Sequence, residues 1–416
     1  MELLFIALRN VFRNKRRTIL NVIALAIGMI MIIIGIGWMR GYQTGLFQSM
    51  INFETGHLQI LNRGYLDEER RLPLDANVNG IHTLGASLQE DDRIEAITPR
   101  INFGVVLGAN GYSRHLIGRA IQPDTEQKVS ILHTLIKAGD YFETGSGVLV
   151  SKPLAEKLGI SEGSSVSLTA YTKYSTEENP QPNLVFTSVV GIFHYGYPAI
   201  DDNVIYTDFD TASDLLLMED EATKLVIRLK PNADRNAVMK NIEKKLAGTP
   251  EAAYPWERFA EVVVSAVNAD GSTFALFLLV IYLLIILGVR NAMSMSVQDR
   301  TREIGTLRAI GMKRRTISAL FLAESVWISL IAAVFGLIVG GVLALFLQYV
   351  GFNMGDYLPE EIPIPFGEKF TADFRWFDFV FAVVFGAVTA LLAGLAPARR
   401  AAKIVIARAM STTAIK

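Results

Sequence analysis

Residues able to do chemistry are scarce in this chain, and their arrangement argues against catalysis. The five histidines, His57, His82, His115, His133 and His194, stand singly, with no H-E-x-x-H spacing to put two imidazoles on one helix face for a metal. The absence of cysteine excludes a thiolate nucleophile, a thiolate metal site, a disulfide and a lipid-modified cysteine. No G-x-x-x-x-G-K-[ST] loop is present to cradle nucleotide phosphates, and there is no G-x-S-x-G nucleophile elbow. Gly145-Ser146-Gly147 reads as a turn before a strand. We therefore expect no catalytic residue, no metal site and no cofactor in the chain itself. The stretch with a purposeful pattern is Asn291–Ile317, a charged segment wedged between two long apolar runs. Val297, Ile304 and Leu307 recur at i, i+7 and i+10, giving a helix one apolar stripe, with Asp299, Arg300, Arg302 and Glu303 on its other faces. Gly311 followed by Lys313, Arg314 and Arg315 reads as a helix stop with cations at the negative end of the dipole. An apolar stripe must be covered, which points to docking in a groove. Such a helix is a handle by which another protein could move the rest.

The elements that would position this handle follow from hydropathy. The chain has 416 residues, of which 51% are hydrophobic and 19% charged, so membrane spans and a water-exposed domain must share it. A net charge of −1 excludes a nucleic-acid binder, which needs a basic surface. Residues 1–17 combine Leu4, Leu8, Val11 and Phe12 with Arg9, Arg13, Lys15, Arg16 and Arg17, the pattern of an interfacial amphipathic helix at an anionic lipid surface. Apolar runs predict spans at 18–40, 272–290, 316–350 and 376–396, each near or above the ~20 residues a bilayer requires. The first is read as a retained span, since Gly37-Trp38-Met39-Arg40 is no cleavage site.

Residues 41–271 contain no run able to cross a membrane. Strand, helix and strand patterns at Gly56–Leu61, Ile81–Gln89 and Ile94–Ile101 recur as a strand at Lys224–Leu229 and a helix at 233–246. Two such units predict a small α+β subdomain of ferredoxin-like, porter type at about 50–101 and 224–258. A β-rich lobe at about 102–223 is inserted in it, with strands near 147–151, 165–170 and 184–193. A helix at 257–268 then leads, past Asp270-Gly271, into the second span. The fold class expected is an α-helical membrane protein with four transmembrane helices and a large α+β extracytoplasmic domain between the first two.

Sidedness follows from the distribution of Lys and Arg. They cluster before the first span, in the 291–315 segment and in the 397–416 tail, whereas the 351–375 loop carries Asp356, Glu360, Glu361, Glu368 and Asp373. Both termini and the handle are placed in the cytoplasm and residues 41–271 outside. Glu324 lies early in the third span, where a carboxylate is costly; two turns from the cytoplasmic end it can snorkel or pair with a basic residue of the handle. Gly336, Gly340 and Gly341 suggest close helix packing there, or a kink.

Four places in the sequence resemble one family. They are Ala7-Leu8-Arg9-Asn10-Val11-Phe12-Arg13-Asn14-Lys15-Arg16-Arg17-Thr18, the run from Asp299-Arg300-Thr301-Arg302-Glu303-Ile304-Gly305 through Thr306-Leu307-Arg308-Ala309-Ile310-Gly311, Glu324, and Pro397-Ala398-Arg399-Arg400-Ala401-Ala402. Together they look like the FtsX/MacB-type permease subunits of ABC transporters. Gly56-His57-Leu58-Gln59-Ile60, the segment Gly118–Glu126 and Leu154-Ala155-Glu156-Lys157-Leu158-Gly159 resemble the branch with the lipoprotein-releasing Lol permeases, LolC and LolE. That family commonly has Gly-Ile-Asp-Pro where this chain has Gly118-Arg119-Ala120-Ile121-Gln122-Pro123.

The resemblance implies a bacterial inner-membrane subunit that pairs with a second permease, identical or paralogous, and with a dimer of a separate ABC ATPase that carries the ATP and Mg. It implies that Asp299, Arg300, Thr301, Arg302, Glu303, Ile304, Leu307 and Arg308 form the coupling helix in the ATPase groove, and that the motion reaches the external domain. For a Lol-type complex it implies acyl chains entering between the first and second spans, making Ile33, Ile36, Met39, Phe274 and Phe277 candidate contacts for a lipoprotein, lipidic or peptide substrate. A periplasmic lipoprotein carrier is a further implied partner. The expected function is extraction of lipoproteins from the inner membrane for outer-membrane sorting. The alternatives are MacB-like export of peptides or antibiotics and FtsX-like mechanical activation of an envelope hydrolase.

Overall fold

The computed structural model describes residues 2–13, 15–142, 147–353 and 369–404. Residues Gly145 and Ser146, the acidic stretch at 354–368 and the tail from 405 lie outside the described residues. The principal helices are α1 (Glu2–Arg13), α2 (Lys15–Met50), α3 (Ile81–Gln89), α4 (Pro123–Val129), α5 (Arg235–Lys245), α6 (Glu261–Asp299), α7 (Thr301–Ala309), α8 (Arg314–Leu345) and α9 (Trp376–Ala402). The strands of the main sheet are β1 (Leu58–Asn62), β2 (Ile94–Ala109), β3 (Tyr112–Ile121), β4 (Ile136–Gly139), β5 (Val148–Ser151), β6 (Ser165–Tyr171), β7 (Pro182–Phe193), β8 (Val204–Asp208), β9 (Lys224–Leu229) and β10 (Glu251–Pro255). The described chain falls into two compact units, one of membrane helices, up to Gly45 and from Ala266 onward, and one of α+β structure, Leu46–Ser265.

Among the described residues four helices are long and apolar enough to cross a membrane, Thr18–Thr55, Glu261–Asp299, Arg314–Val350 and Trp376–Ala402. Each outruns the stretch expected from composition. The helix expected at 257–268 and the span expected at 272–290 are one element, α6, which passes through Gly271 and takes in the first part of the charged segment. A glycine inside a helix costs only about 1 kcal/mol, too little to break one of 39 residues. Likewise α9 does not stop at Ala396: it runs through Pro397 to Ala402. Ala398 and Ala401 are buried in a cluster with Ile317 and Phe321 of α8, and this packing offsets the backbone hydrogen bond that proline removes.

Small residues set the packing of the membrane unit. Met29 of α2 lies against Gly336 of α8 and Gly386 of α9, and a Cβ at Gly336 would sit 3.2 Å from that of Met29. Ile33 covers Gly340 at 3.1 Å from the equivalent point, while Gly341 faces open space. Gly336 and Gly340 are therefore contact points between helices rather than hinges. At the other end of α2, Arg40 donates to both carboxylate oxygens of Asp378 in α9, at 2.7 and 2.8 Å. Asp378 also accepts from the Arg375 backbone N–H at 2.8 Å, so one buried carboxylate caps α9 and ties α2 to it. Sequence reasoning ended the first span at Arg40 and passed over Asp378; an acid inside an apolar run was the available signal.

In the α+β unit, β1, α3 and β2 form one strand–helix–strand unit and β9, α5 and β10 the second. Their strands align antiparallel in the order β10-β1-β9-β2, which is the ferredoxin-like arrangement. Asp234 caps α5 by accepting from the N–H groups of Asn236 and Ala237. The 16-residue β2 belongs to two structures. Its first half pairs with β9, and its second half pairs with both β3 and β6. From there the ladder runs β2-β3-β8-β5-β7-β6 and returns to β2, closing a small barrel in which β3/β8 and β5/β7 are parallel. Closure removes the exposed strand edges that invite aggregation. One apolar core runs through both parts, from Leu58 and Ile227 to Leu107, Leu168 and Val189.

Candidate functional site

The charged segment is divided by Arg300. Its backbone, at φ −100 and ψ 15, separates α6 from α7. The Thr301 hydroxyl, which lies beside the Gln298 carbonyl at 2.6 Å, satisfies one of the acceptors left open at the end of α6. Gly311, at φ +97, stops the segment in the left-handed conformation that glycine tolerates.

The apolar stripe is real, but its groove is internal. Val297 and Ile304 are buried with Ile317 and Phe321 of α8 and with Ala398 and Ala401 of α9, and Leu307 is half-buried. The expectation that this stripe docks into another protein is thereby corrected: α8 and α9 already supply its cover. Arg308 turns the same way, donating to the Ala402 carbonyl at 2.9 Å. The outward face of α7 is Arg302, Thr306, Ala309 and Ile310, and Ile310 is 76% exposed. Asp299 and Glu303 are exposed as well.

Arg300, expected on a polar face, is buried. Its Nη1 donates to both oxygens of Glu324, at 2.8 and 3.0 Å, and its Nε to Glu303 at 3.0 Å, while its guanidinium lies 5.4 Å from the centre of the Phe321 ring. Burial alone would depress the Arg300 pKa; the adjacent Glu324 carboxylate outweighs it and the pKa is raised. Glu303 shows the reverse balance, since burial works against ionisation but the hydrogen bonds from Arg13 and Arg300 hold its pKa below the ordinary value. Glu324 thus takes its partner from the charged segment.

A third arm enters from α1. Asn10 donates to Glu324 at 2.7 Å, Arg13 pairs with Glu303, and the Trp327 indole N–H donates to the Leu4 carbonyl at 3.0 Å. Ala7 and Val11 are buried on this side of α1, whereas Phe5 and Phe12 are exposed. Asn10 was missed as a site residue, although it shares a helix face with Ala7 at i−3. The cluster Asn10–Arg300–Glu303–Glu324 therefore joins α1, α7 and α8, so that a displacement of α7 is felt by both long helices it packs on and by the N-terminal helix.

The five residues proposed for contact with substrate separate. Ile33 is fully buried and lies against Gly340 of α8. Phe274 packs on Gly35 of α2, Ile36 and Met39 are half-buried, and Phe277 is 57% exposed. In the most apolar window of α6 6% of the residues are buried, the others being half-buried or exposed. Among the described residues no group of three or more His, Cys, Asp or Glu could hold a metal.

Two family models match successive parts of this chain. The MacB-like periplasmic core domain matches residues 18–245 and the FtsX-like permease C-terminal domain matches residues 275–406. The chain is an FtsX/MacB-type ABC transporter permease. Similar to this permease is the lipoprotein-releasing system transmembrane protein LolC of Xylella fastidiosa, 24% identical over 96% of each chain. LolE of Haemophilus influenzae is 20% identical over 94% of the permease and 93% of its own length. The crystal structure of the periplasmic region of MacB from Actinobacillus actinomycetemcomitans superposes on 51% of the permease and 94% of that region, at 11% identity and a TM-score of 0.36. Membership of this family implies an ATPase partner for the permease.

Proposed function

We propose that this permease sits in a bacterial inner membrane, with α7 and both termini in the cytoplasm and the α+β unit in the periplasm, and that it extracts lipoproteins for outer-membrane sorting. ATP and Mg belong to a separate ABC ATPase dimer that grips the outward face of α7, at Arg302, Thr306, Ala309 and Ile310. The observation that carries this reading is the two-faced packing of α7: its inner strip is locked onto α8 and α9, while its outer strip, with the apolar Ile310, is free to be held. A push on the outer strip is delivered to two long helices.

Likeness along the whole of both chains supports the lipoprotein-releasing branch over macrolide export. Matches to MacB cover less of both proteins, 44% of this permease and 26% of the Escherichia coli protein, and 80% and 52% for that of Campylobacter jejuni. The uncovered apolar surface of α6 is the place for a second permease, identical or paralogous, with membrane lipid filling the remainder. Lipid chains would contact Ile36, Met39, Phe274 and Phe277, and a periplasmic carrier would receive the product.

Affinity purification in mild detergent tests both levels. An ABC ATPase should accompany the native chain, and the double variant R302E/I310D should lose it while remaining folded; retention of the ATPase by that variant removes the docking assignment. Mass spectrometry of the purified complex should find triacylated lipoprotein. Peptide cargo would instead favour export, and a bound envelope hydrolase would favour mechanical activation.

A further inference from the structure

At Met50 the helix α2 passes into a π turn, Ile51–Thr55, that is closed by Gly56 at φ +60. A side chain at Gly56 would press on Val226 and on the Ile227 carbonyl of β9. The end of a helix leaves carbonyls without partners, and here the α+β unit provides them from several directions. The Ile131 N–H donates to the Asn52 carbonyl at 3.1 Å, and the Tyr195 hydroxyl to the Phe53 carbonyl at 3.0 Å. Arg100 of β2 donates to the Glu54 carbonyl. Arg119 of β3 donates twice to the Glu54 carboxylate, at 2.9 and 2.7 Å.

Behind these contacts the cations are themselves held. Arg119 also donates to the Tyr206 hydroxyl of β8 at 3.0 Å, and Arg100 pairs with Glu126 of α4 at 2.9 and 2.6 Å, both side chains being 1% exposed. The start of α6 is treated differently: Trp256 and Ala260 pack with Ile51 in a small apolar cluster. A buried ion pair is a poor source of stability compared with an apolar contact of the same size. What a two-pronged guanidinium–carboxylate pair gives is a fixed direction, and this one fixes the last turn of α2 to the two strands that begin the barrel.

We propose that Glu54, Arg119 and Arg100 form a positioning latch that passes the movement of α2 into β2 and β3, and that it stays closed through the ATP cycle. The inference rests on the ATP-driven extraction proposed above and assigns the residues that carry force into the domain.

The test uses the native complex with its ATPase, in proteoliposomes of phosphatidylethanolamine and phosphatidylglycerol carrying a fluorescent triacylated lipoprotein. The native chain is measured first. If no ATPase accompanies it or no lipoprotein is released, the extraction reading fails, and that failure is visible before any variant is made. In E54Q, ATP turnover should remain within about twofold of native while release falls at least tenfold. Because the chain has no cysteine, N52C/I131C can place a single disulfide across an existing backbone contact. In the E54Q background, closing it should restore release to within about threefold of native, and reduction should abolish that gain, a response that a merely weakened fold would not give. Native-rate release by E54Q overturns the proposal. So does loss of release, with ATP turnover intact, when the disulfide is closed in the Glu54 chain. Should E54Q fail to accumulate, this last arm decides alone: native release with the bond closed supports a latch that stays shut.

Discussion

Arg300 in the membrane unit and Arg100 in the α+β unit each meet a carboxylate with two hydrogen bonds, yet their surroundings differ. Arg300 faces Glu324, shares Glu303 with Arg13, and reaches water through Glu303, whose side chain is 46% exposed. Arg100 and Glu126 are sealed, and their neighbourhood holds the cations Arg100, Arg119 and Lys224 against the carboxylates Glu54 and Glu126, with Glu69 acting on Lys224 from the exposed surface. An open cluster can replace a lost partner with solvent. A closed cluster with an excess of cations cannot, so the same deletion strands a charge.

The largest effect should come from the closed cluster. Glu126→Ala leaves Arg100 without its carboxylate at 1% exposure, which costs about 3–5 kcal/mol for a broken buried pair. Thermal unfolding of the detergent-solubilised chain, followed by tryptophan fluorescence, should show the lost stability, and a loss below about 1 kcal/mol would break the comparison. Glu324→Gln should cost less, about 1–2 kcal/mol, because a neutral acceptor remains for Asn10 and Arg300 keeps Glu303. Its distinctive consequence is at the coupling site, where ATP turnover of the complex should no longer respond to lipoprotein. Equal costs for the two substitutions would mean that solvent access is not what separates the clusters.

How much of this was readable in advance differs in the same way. The four long helices and the ferredoxin-like framework were legible because they rest on local periodicity: unbroken apolar runs, and strand and helix patterns at both ends of the insertion. Barrel closure was not, because β2 meets β6 through Val105 and Ala170, far apart in sequence and unmarked by residue type. For α7 the apolar stripe was legible but its partner was not. Ile304 announces that it must be buried, and nothing in its spacing distinguishes a groove on another protein from Phe321 and Ala401 of its own chain. Arg100, Arg119 and Lys224 did leave a signal. Arg100 and Arg119 are cations inside strands and Lys224 opens an apolar one, and a cation in a half-buried sheet requires a buried anion.

The excess charge in the closed cluster gives a prediction of opposite sign. Burial, opposed by Glu54 and more weakly by Glu69 and aided by the two arginines, pushes the Lys224 ammonium down to about 8 from 10.5. Below pH 8 both folded and unfolded chains carry the proton, so the penalty of keeping it buried is present in full. Between pH 8 and 10.5 the folded chain releases the proton first, and stability rises with pH as the penalty disappears. Lys224→Met should therefore stabilise the permease at pH 7 by roughly 1–3 kcal/mol, and the advantage should shrink towards zero near pH 10.5. A variant less stable than native at pH 7 would show that Lys224 is needed by Glu54 and that the cluster is balanced after all.

The smallest effect belongs to the solvent side of the open cluster. Arg13 and Glu303 are 52% and 46% exposed, and exposed pairs contribute about 0–1 kcal/mol because water and side-chain freedom compete with them. Glu303→Ala should lower stability within that range, and the loss should fade between about 0.05 and 0.5 M salt as screening shortens the reach of the pair. The folded pKa of Glu303 lies below its ordinary value, so its contribution is present above the carboxylate range and is lost as pH falls through the folded pKa. The native chain and the variant should then converge as pH falls below the ordinary carboxylate range, followed by thermal unfolding from pH 7 downward. A loss of several kcal/mol that survives high salt would place Glu303 in the same class as Glu126, and the distinction between the open and closed clusters would be gone.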